Sequence, residues 1–234
     1  MKDVNKAYYK ILEKSLEIPG ARINRLDFLE RNLRGYCTIG QIEKAMTTSV
    51  RHAGISSEVR EKIAKNIIKS HTLKVTGIST LSGMPGGLAM LATIPADLTQ
   101  YYYHVIVLAQ KLAYLYGYPQ LRGDKDLVSH LTLFIGVMYG VKDSNQAVVN
   151  VSQALNAETL SRVPQITLNE TTFYVLKQNI ARWVGLKLTK KILSQGISKA
   201  IPFIGGIISG GVCYTSFTPM AQKLKESLEG SYEI

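Results

Sequence analysis

The sequence has little of what usually announces a chemistry. Its two cysteines, Cys37 and Cys213, stand far apart with no second sulfur near either. That speaks against a disulfide framework and a cysteine zinc site, and it fits a reducing compartment. His52, His71, His104 and His130 show no paired ligand spacing, so no metal is expected. A Gly-x-Ser-x-Gly elbow, a Walker loop and a dinucleotide fingerprint are all missing. The expectation is a non-enzyme with no catalytic residues and no cofactor. Alternating strand patterns and solenoid repeats are lacking too. The opening run Met1-Lys2-Asp3-Val4-Asn5-Lys6 leads into a charged amphipathic stretch, so no signal peptide is expected and the sequon Asn169-Glu170-Thr171 is read as chance.

Acid is also scarce, with 17 Asp and Glu against 28 Lys and Arg, for a net charge of +11. The excess is uneven. Residues 1–75 hold 15 basic and 8 acidic side chains, residues 76–170 hold 5 and 6, and residues 171–234 hold 8 and 3. Positive charge flanks a nearly neutral centre, a field that favours anionic lipid headgroups, nucleic acid or an acidic protein surface. No nucleic-acid recognition motif accompanies it, so nucleic acid is the less expected partner. Apolar residues make up 46% of the 234, enough for one core or one core with a helical extension.

The apolar spacing is helical throughout. Val4, Ala7, Tyr8, Ile11, Leu12 and Leu16 share one face of a helix over 4–18, with Lys2, Lys6, Lys10 and Lys14 on another and Pro19-Gly20 as its stop. That lysine row reads as a solvated face or as a membrane-surface helix. Further helices are predicted over 24–36 with Asn24 as N-cap, 39–50, 57–74 with Ser57 as cap, 97–117, 126–141, 144–156 and 171–195. The fold expected is all-α, a single compact multi-helix bundle with glycine-rich apolar central helices. It divides into a basic amphipathic helix (1–19) and a helical domain (20–234).

Two uncharged windows interrupt this pattern, VTGISTLSGMPGGLAMLATIPA between Lys74 and Asp97 and AIPFIGGIISGGVCYTSFTPMAQ between Lys199 and Lys223. Each is long enough to cross a hydrocarbon core of about 30 Å, but glycine, proline, serine and threonine dilute both. Gly83/Gly87, Gly136/Gly140 and Gly206/Gly210 are each spaced by four inside predicted helices, which strips side chains from one stripe and lets another backbone approach. The close packing implied belongs to a soluble core or to a membrane. Asp97, Tyr101, His104 and Lys111 share a face of the 97–117 helix, either as a satisfied buried polar network or as a ligand or proton-relay site, with Tyr101 as a link between the carboxylate and the imidazole.

The stretch SGMPGGLAMLATIPADLTQYYYHVIVLAQKLAYLYGYP resembles the signature of the EcsC family. So do RLDFLERNLRGYCTIGQIEKA upstream and the segment from VSQAL to IPFIGGIISGGVCYTSFTPMAQKLK downstream, together covering roughly residues 20–225. Members are mostly helical bacterial proteins, named from an operon encoding an ATP-binding-cassette transporter linked to secretion, processing and competence. The resemblance implies a bacterial, membrane-related accessory role and supplies no catalytic residues. Taken with the charge pattern, it leads to an expected non-enzymatic accessory protein at the cytoplasmic, inner face of the cell membrane, with the anionic membrane surface and a membrane protein as partners. The alternatives are a helical module that binds a lipid or other apolar ligand, and an integral membrane protein with both windows inserted.

Overall fold

The computed structural model describes residues 2–81, 96–157, 174–185 and 210–232, and among these lie nine helices and no strand. The chain is all-α, as its periodicity requires. Helix α1 spans Lys2–Leu16, α2 Arg25–Leu33, α3 Ile39–Thr47, α4 Ser57–Leu81, α5 Ala96–Leu115, α6 Asp124–Met138 and α7 Ser144–Ala157. Helix α8 covers 174–185, and α9 spans Gly210–Tyr232.

Local chemistry sets several of these boundaries. Asn24 caps α2 by accepting from the Asp27 N–H at 3.1 Å, and Thr38 with Gln41 forms a reciprocal capping box on α3. For α4 the cap falls to Ser56, whose hydroxyl accepts from the Val59 N–H, and not to Ser57 as the sequence suggested. The same helix runs on to Leu81, past the expected end at Lys74 and through Gly77, with no proline in between. Arg25, 4% exposed, ties α2, α3 and the loop after α5 together. Its guanidinium donates to the Tyr118, Met46 and Ala45 carbonyls at 2.9, 3.0 and 2.8 Å. The last two belong to the final turn of α3, where a cation is favoured.

Helix α5 is the axis of the bundle. Tyr102, Val105 to Ala109, Leu112 and Ala113 are all buried, and α1, α2, α4, α6 and α9 pack around it. Tyr8, Ile11, Leu12 and Leu16 of α1 join the same core, leaving Lys6, Lys10 and Lys14 on the outer side. The apolar face of α1 is therefore taken up by protein.

The glycine pairs divide. Gly136 sits inside α6 where an added Cβ would overlap the Ser144 hydroxyl and come within 2.7 Å of Ile180 Cδ1, so α6 meets α8 and the start of α7 through this missing side chain. Gly140 does something else. Helix α6 ends at Met138, and Gly140 takes φ +67° just beyond it. Its N–H bonds to the Val137 carbonyl and the next N–H, from Val141, to the Gly136 carbonyl, at 2.9 and 2.8 Å. That is a Schellman stop, which needs a residue able to adopt a left-handed backbone. The expected Gly136/Gly140 packing stripe is thus one packing glycine and one terminating glycine. Gly83, Gly87 and Gly206 lie outside the described residues, and Gly210 is the first residue of α9.

Among the described residues no helix is long and apolar enough to cross a membrane. Residues 82–95 of the first uncharged window and 200–209 of the second lie outside those residues. The described end of the second window, 210–222, opens α9, where Phe217 and Ala221 are buried.

Candidate functional site

The polar residues predicted on α5 separate in space. Tyr101 turns to α9, its hydroxyl 3.7 Å from Met220 Sδ and its ring edge-on to Phe217 at 6.0 Å. Tyr102 turns to α6 and meets the Tyr139 hydroxyl at 3.2 Å. Asp97 lies in the first turn of α5, and its side chain is outside the described residues.

His104 and Lys111 do come together, through a residue the α5 pattern did not contain. His71 of α4 lies with its Nδ1 3.4 Å from His104 Nδ1 and its Nε2 3.1 Å from Lys111 Nζ. The two imidazoles, 3% and 5% exposed, stand edge to face with centroids 5.5 Å apart. The sequence carried a signal for this. His71 falls on the stripe of α4 that buries Ala64, Ile67, Ile68 and Val75, and it faces a helix that is apolar almost all round. A histidine on such a stripe needs a polar partner.

The hydrogen-bond directions follow from chemistry. A charged ammonium only donates, so Lys111 gives its proton to His71 Nε2 and places the His71 proton on Nδ1. That proton is directed at His104 Nδ1, which puts the His104 proton on Nε2. His104 Nε2 is buried and has no hydrogen-bond partner among the described residues. An unmet buried donor of this kind costs about 1–3 kcal/mol.

Charge sharpens the arrangement. Burial, with Lys111, His104 and Lys74 behind it, pulls His71 down to about 3. Burial together with Lys74 and Lys111 pulls His104 down to about 4. Lys111 is itself lowered, by burial and then by Lys74. Among the described residues no carboxylate acts on any of the three. Both histidines are therefore neutral at pH 7, beside two lysines.

A second charged cluster joins α4 to α9. Lys225, 8% exposed, bonds to Glu61 and, at 3.1 Å, to Glu229; Glu61 also receives Lys65 at 3.1 Å. Every charge in that cluster has an opposite beside it.

The outer face of α4 is basic. Lys62, Lys65, Lys69 and Leu73 follow one another at helical spacing on its exposed side, with Lys74 next to Leu73. Leu73 is 54% exposed, and Lys62 lies over the Tyr36 ring at 5.1 Å.

Compared with known proteins, the chain matches no family model, no curated protein and no solved structure. None of the three carries the resemblance to EcsC proteins expected from the sequence motifs. Among the described residues no group of three or more His, Cys, Asp or Glu is placed to hold a metal ion.

Proposed function

We propose that the protein is a non-enzymatic accessory protein that docks on an anionic membrane surface, at the inner face of a bacterial cell membrane. The observation that carries this reading is the exposed edge of α4, where Lys62, Lys65 and Lys69 lead to an exposed leucine and then to Lys74. Cations spaced along a rigid helix gain about 1 kcal/mol each at an anionic surface. An exposed leucine at the end of the row adds apolar area to bury among headgroups. The excess of basic residues in residues 1–75 supplies the longer-range attraction. The resemblance to EcsC proteins points the same way and adds a membrane-protein partner, of the transporter or secretion kind, to the proposal.

Vesicle flotation tests it. The full chain is expected to bind phosphatidylcholine vesicles that contain phosphatidylglycerol, to ignore pure phosphatidylcholine, and to come off at high salt as the Debye length shrinks. Replacing Lys62, Lys65 and Lys69 together by glutamine is expected to weaken binding on the order of a hundredfold. A triple variant that binds as wild type does, or a wild type that ignores anionic vesicles, overturns the proposal. Binding that survives salt and carbonate replaces peripheral docking with insertion.

A further inference from the structure

The seam between α4 and α5 gathers Lys111, His71 and His104 with a single unmet group at its end, the His104 Nε2–H. Its lone pairs are already used. His71 Nε2 accepts from Lys111, and His104 Nδ1 faces the His71 proton, so neither imidazole offers a nitrogen to a metal cation. What the seam leaves unmet among the described residues is a donor: the buried His104 N–H, within the field of the Lys74 and Lys111 ammonium groups. A ligand suited to it accepts hydrogen bonds and carries negative charge. A carboxylate meets that need in part, while a tetrahedral oxyanion brings more negative charge and more acceptor oxygens to the same N–H.

A purely structural cluster is built differently, as Lys225 shows. Its ammonium sits between two carboxylates. Cations and imidazoles brought together with no carboxylate among the described residues lower stability unless something else neutralises them. We propose that the α4–α5 seam is a binding site for a phosphate-type oxyanion, received by the His104 Nε2–H with Lys74 and Lys111 as its counter-charges. The phosphate comes from a phosphomonoester lipid headgroup or from free phosphate in solution. For the lipid source the inference rests on the membrane reading above, since Lys74 also ends the basic edge of α4.

The experiment keeps the two apart. In one arm the full chain, with its histidines labelled with nitrogen-15, is titrated with inorganic phosphate at constant ionic strength against chloride. Phosphate is expected to shift the His104 imidazole resonances and raise Tm, with chloride doing neither. His104→Phe is expected to bind phosphate about tenfold more weakly, the loss of one hydrogen bond to a charged group. Lys111→Met gives the same comparison should the phenylalanine variant fail to fold. The Lys62, Lys65 and Lys69 triple glutamine variant is expected to keep the phosphate response.

In the second arm, phosphatidylcholine vesicles carry either phosphatidic acid or a matched charge of oleate. A lipid source predicts that wild type prefers phosphatidic acid, and that His104→Phe loses the preference while still binding. Equal binding to both vesicles, with the free-phosphate response intact, assigns the site to the soluble anion. Loss of all vesicle binding with that response intact sinks the membrane reading and leaves the anion site standing. A His104 imidazole that ignores phosphate, or His104→Phe and Lys111→Met variants that bind it as tightly as wild type, overturns the inference.

Discussion

Helix α4 meets buried cationic chemistry at two places, ten residues and about 15 Å apart along its axis, and the two follow opposite rules. Near its start, Glu61 faces Lys225 of α9, and Glu229 completes the pairing from the next turn of α9. Burial works against the Lys225 charge, yet its bonds to the two carboxylates hold its pKa above the ordinary lysine value. Further along, His71 meets His104 and Lys111, where burial and neighbouring cations all push the same way and no described carboxylate answers them. The first arrangement is what an ion network looks like when it serves the fold. The second keeps a buried, positive, donor-rich cluster at some cost in stability, which is how binding sites commonly differ from cores.

The comparison breaks most readily at Lys225. Removing a buried cation strands its partners, and such losses run to about 3–5 kcal/mol for fully buried pairs. Glu61 and Glu229 keep 29% and 24% side-chain exposure, so solvent softens the loss. Lys225→Met is expected to lower unfolding free energy by about 2–3 kcal/mol in urea titrations. A loss below about 0.5 kcal/mol, the range of ordinary surface changes, would mean that this network does not secure α9 to α4.

Acid separates the two clusters by pH. In the folded chain His71 and His104 sit near 3 and 4, against 6.5 for an unperturbed histidine. The unfolded chain therefore takes up protons first on acidification. The stability these neutral histidines carry is complete above pH 6.5 and drains away as pH falls toward 4 and then 3. The slope is on the order of 1 kcal/mol per pH unit for each histidine. Glu61 is held below the usual carboxylate value of 4.5, first by its bond to Lys225, so its share is complete above that value and is lost only as pH falls below it. His130, lowered by burial, drains in the same direction as the other two, so the measurement is a difference. Urea midpoints between about pH 6.5 and 5 are expected to fall less steeply for His104→Phe than for wild type, by the share of one histidine. Identical slopes would show that His104 does not hold its proton off in the folded state.

Dry packing gives a smaller effect. An alanine at position 136 relieves the helix of a glycine, worth about 1 kcal/mol, but drives its methyl into the Ser144 hydroxyl and Ile180. Both neighbours are fully buried and have little room to yield. Gly136→Ala is expected to cost about 1–2 kcal/mol net by thermal unfolding. Adding Ile180→Val, which trims the Cδ1 it meets, is expected to return part of that loss, and strict additivity would show that the two sites do not touch.

What was legible in the sequence depended on whether one helix or two carried the information. Asn24 as N-cap, the core stripe of α1 and the buried run Val105 to Ala109 of α5 are one-helix patterns, and each is found where its spacing places it. Gly136 and Gly140 are alike by spacing. Only the end of the helix at Met138 distinguishes a packing glycine from a Schellman stop. The α5 polar face was read as a set because 97, 101, 104 and 111 share a side of a helical wheel. Neighbouring helices divide that side between them, α9 taking Tyr101 and α4 taking His104 and Lys111. Nothing within α5 could name His71, whose pairing is decided by how α4 lies against it.

The smallest predicted effect is the most telling about purpose. Lys111→Met removes a half-buried ammonium whose charge is disfavoured by burial and by Lys74. It also removes the bond to His71 Nε2, worth about 1–1.5 kcal/mol net in a typical case. Methionine keeps most of the stem's apolar packing and carries no charge to desolvate. His71 can then move its proton to Nε2 and accept at Nδ1 from His104, so the chain of bonds reverses instead of breaking. The gains and losses are of one size, and the variant is expected to unfold within about 0.5 kcal/mol of wild type. Set beside a loss of about 2–3 kcal/mol at Lys225, that near-neutrality is what a lysine kept for a ligand predicts. A loss at Lys111 as large as the one at Lys225 would make the α4–α5 cluster a structural network like its neighbour, with His71 and His104 as its members.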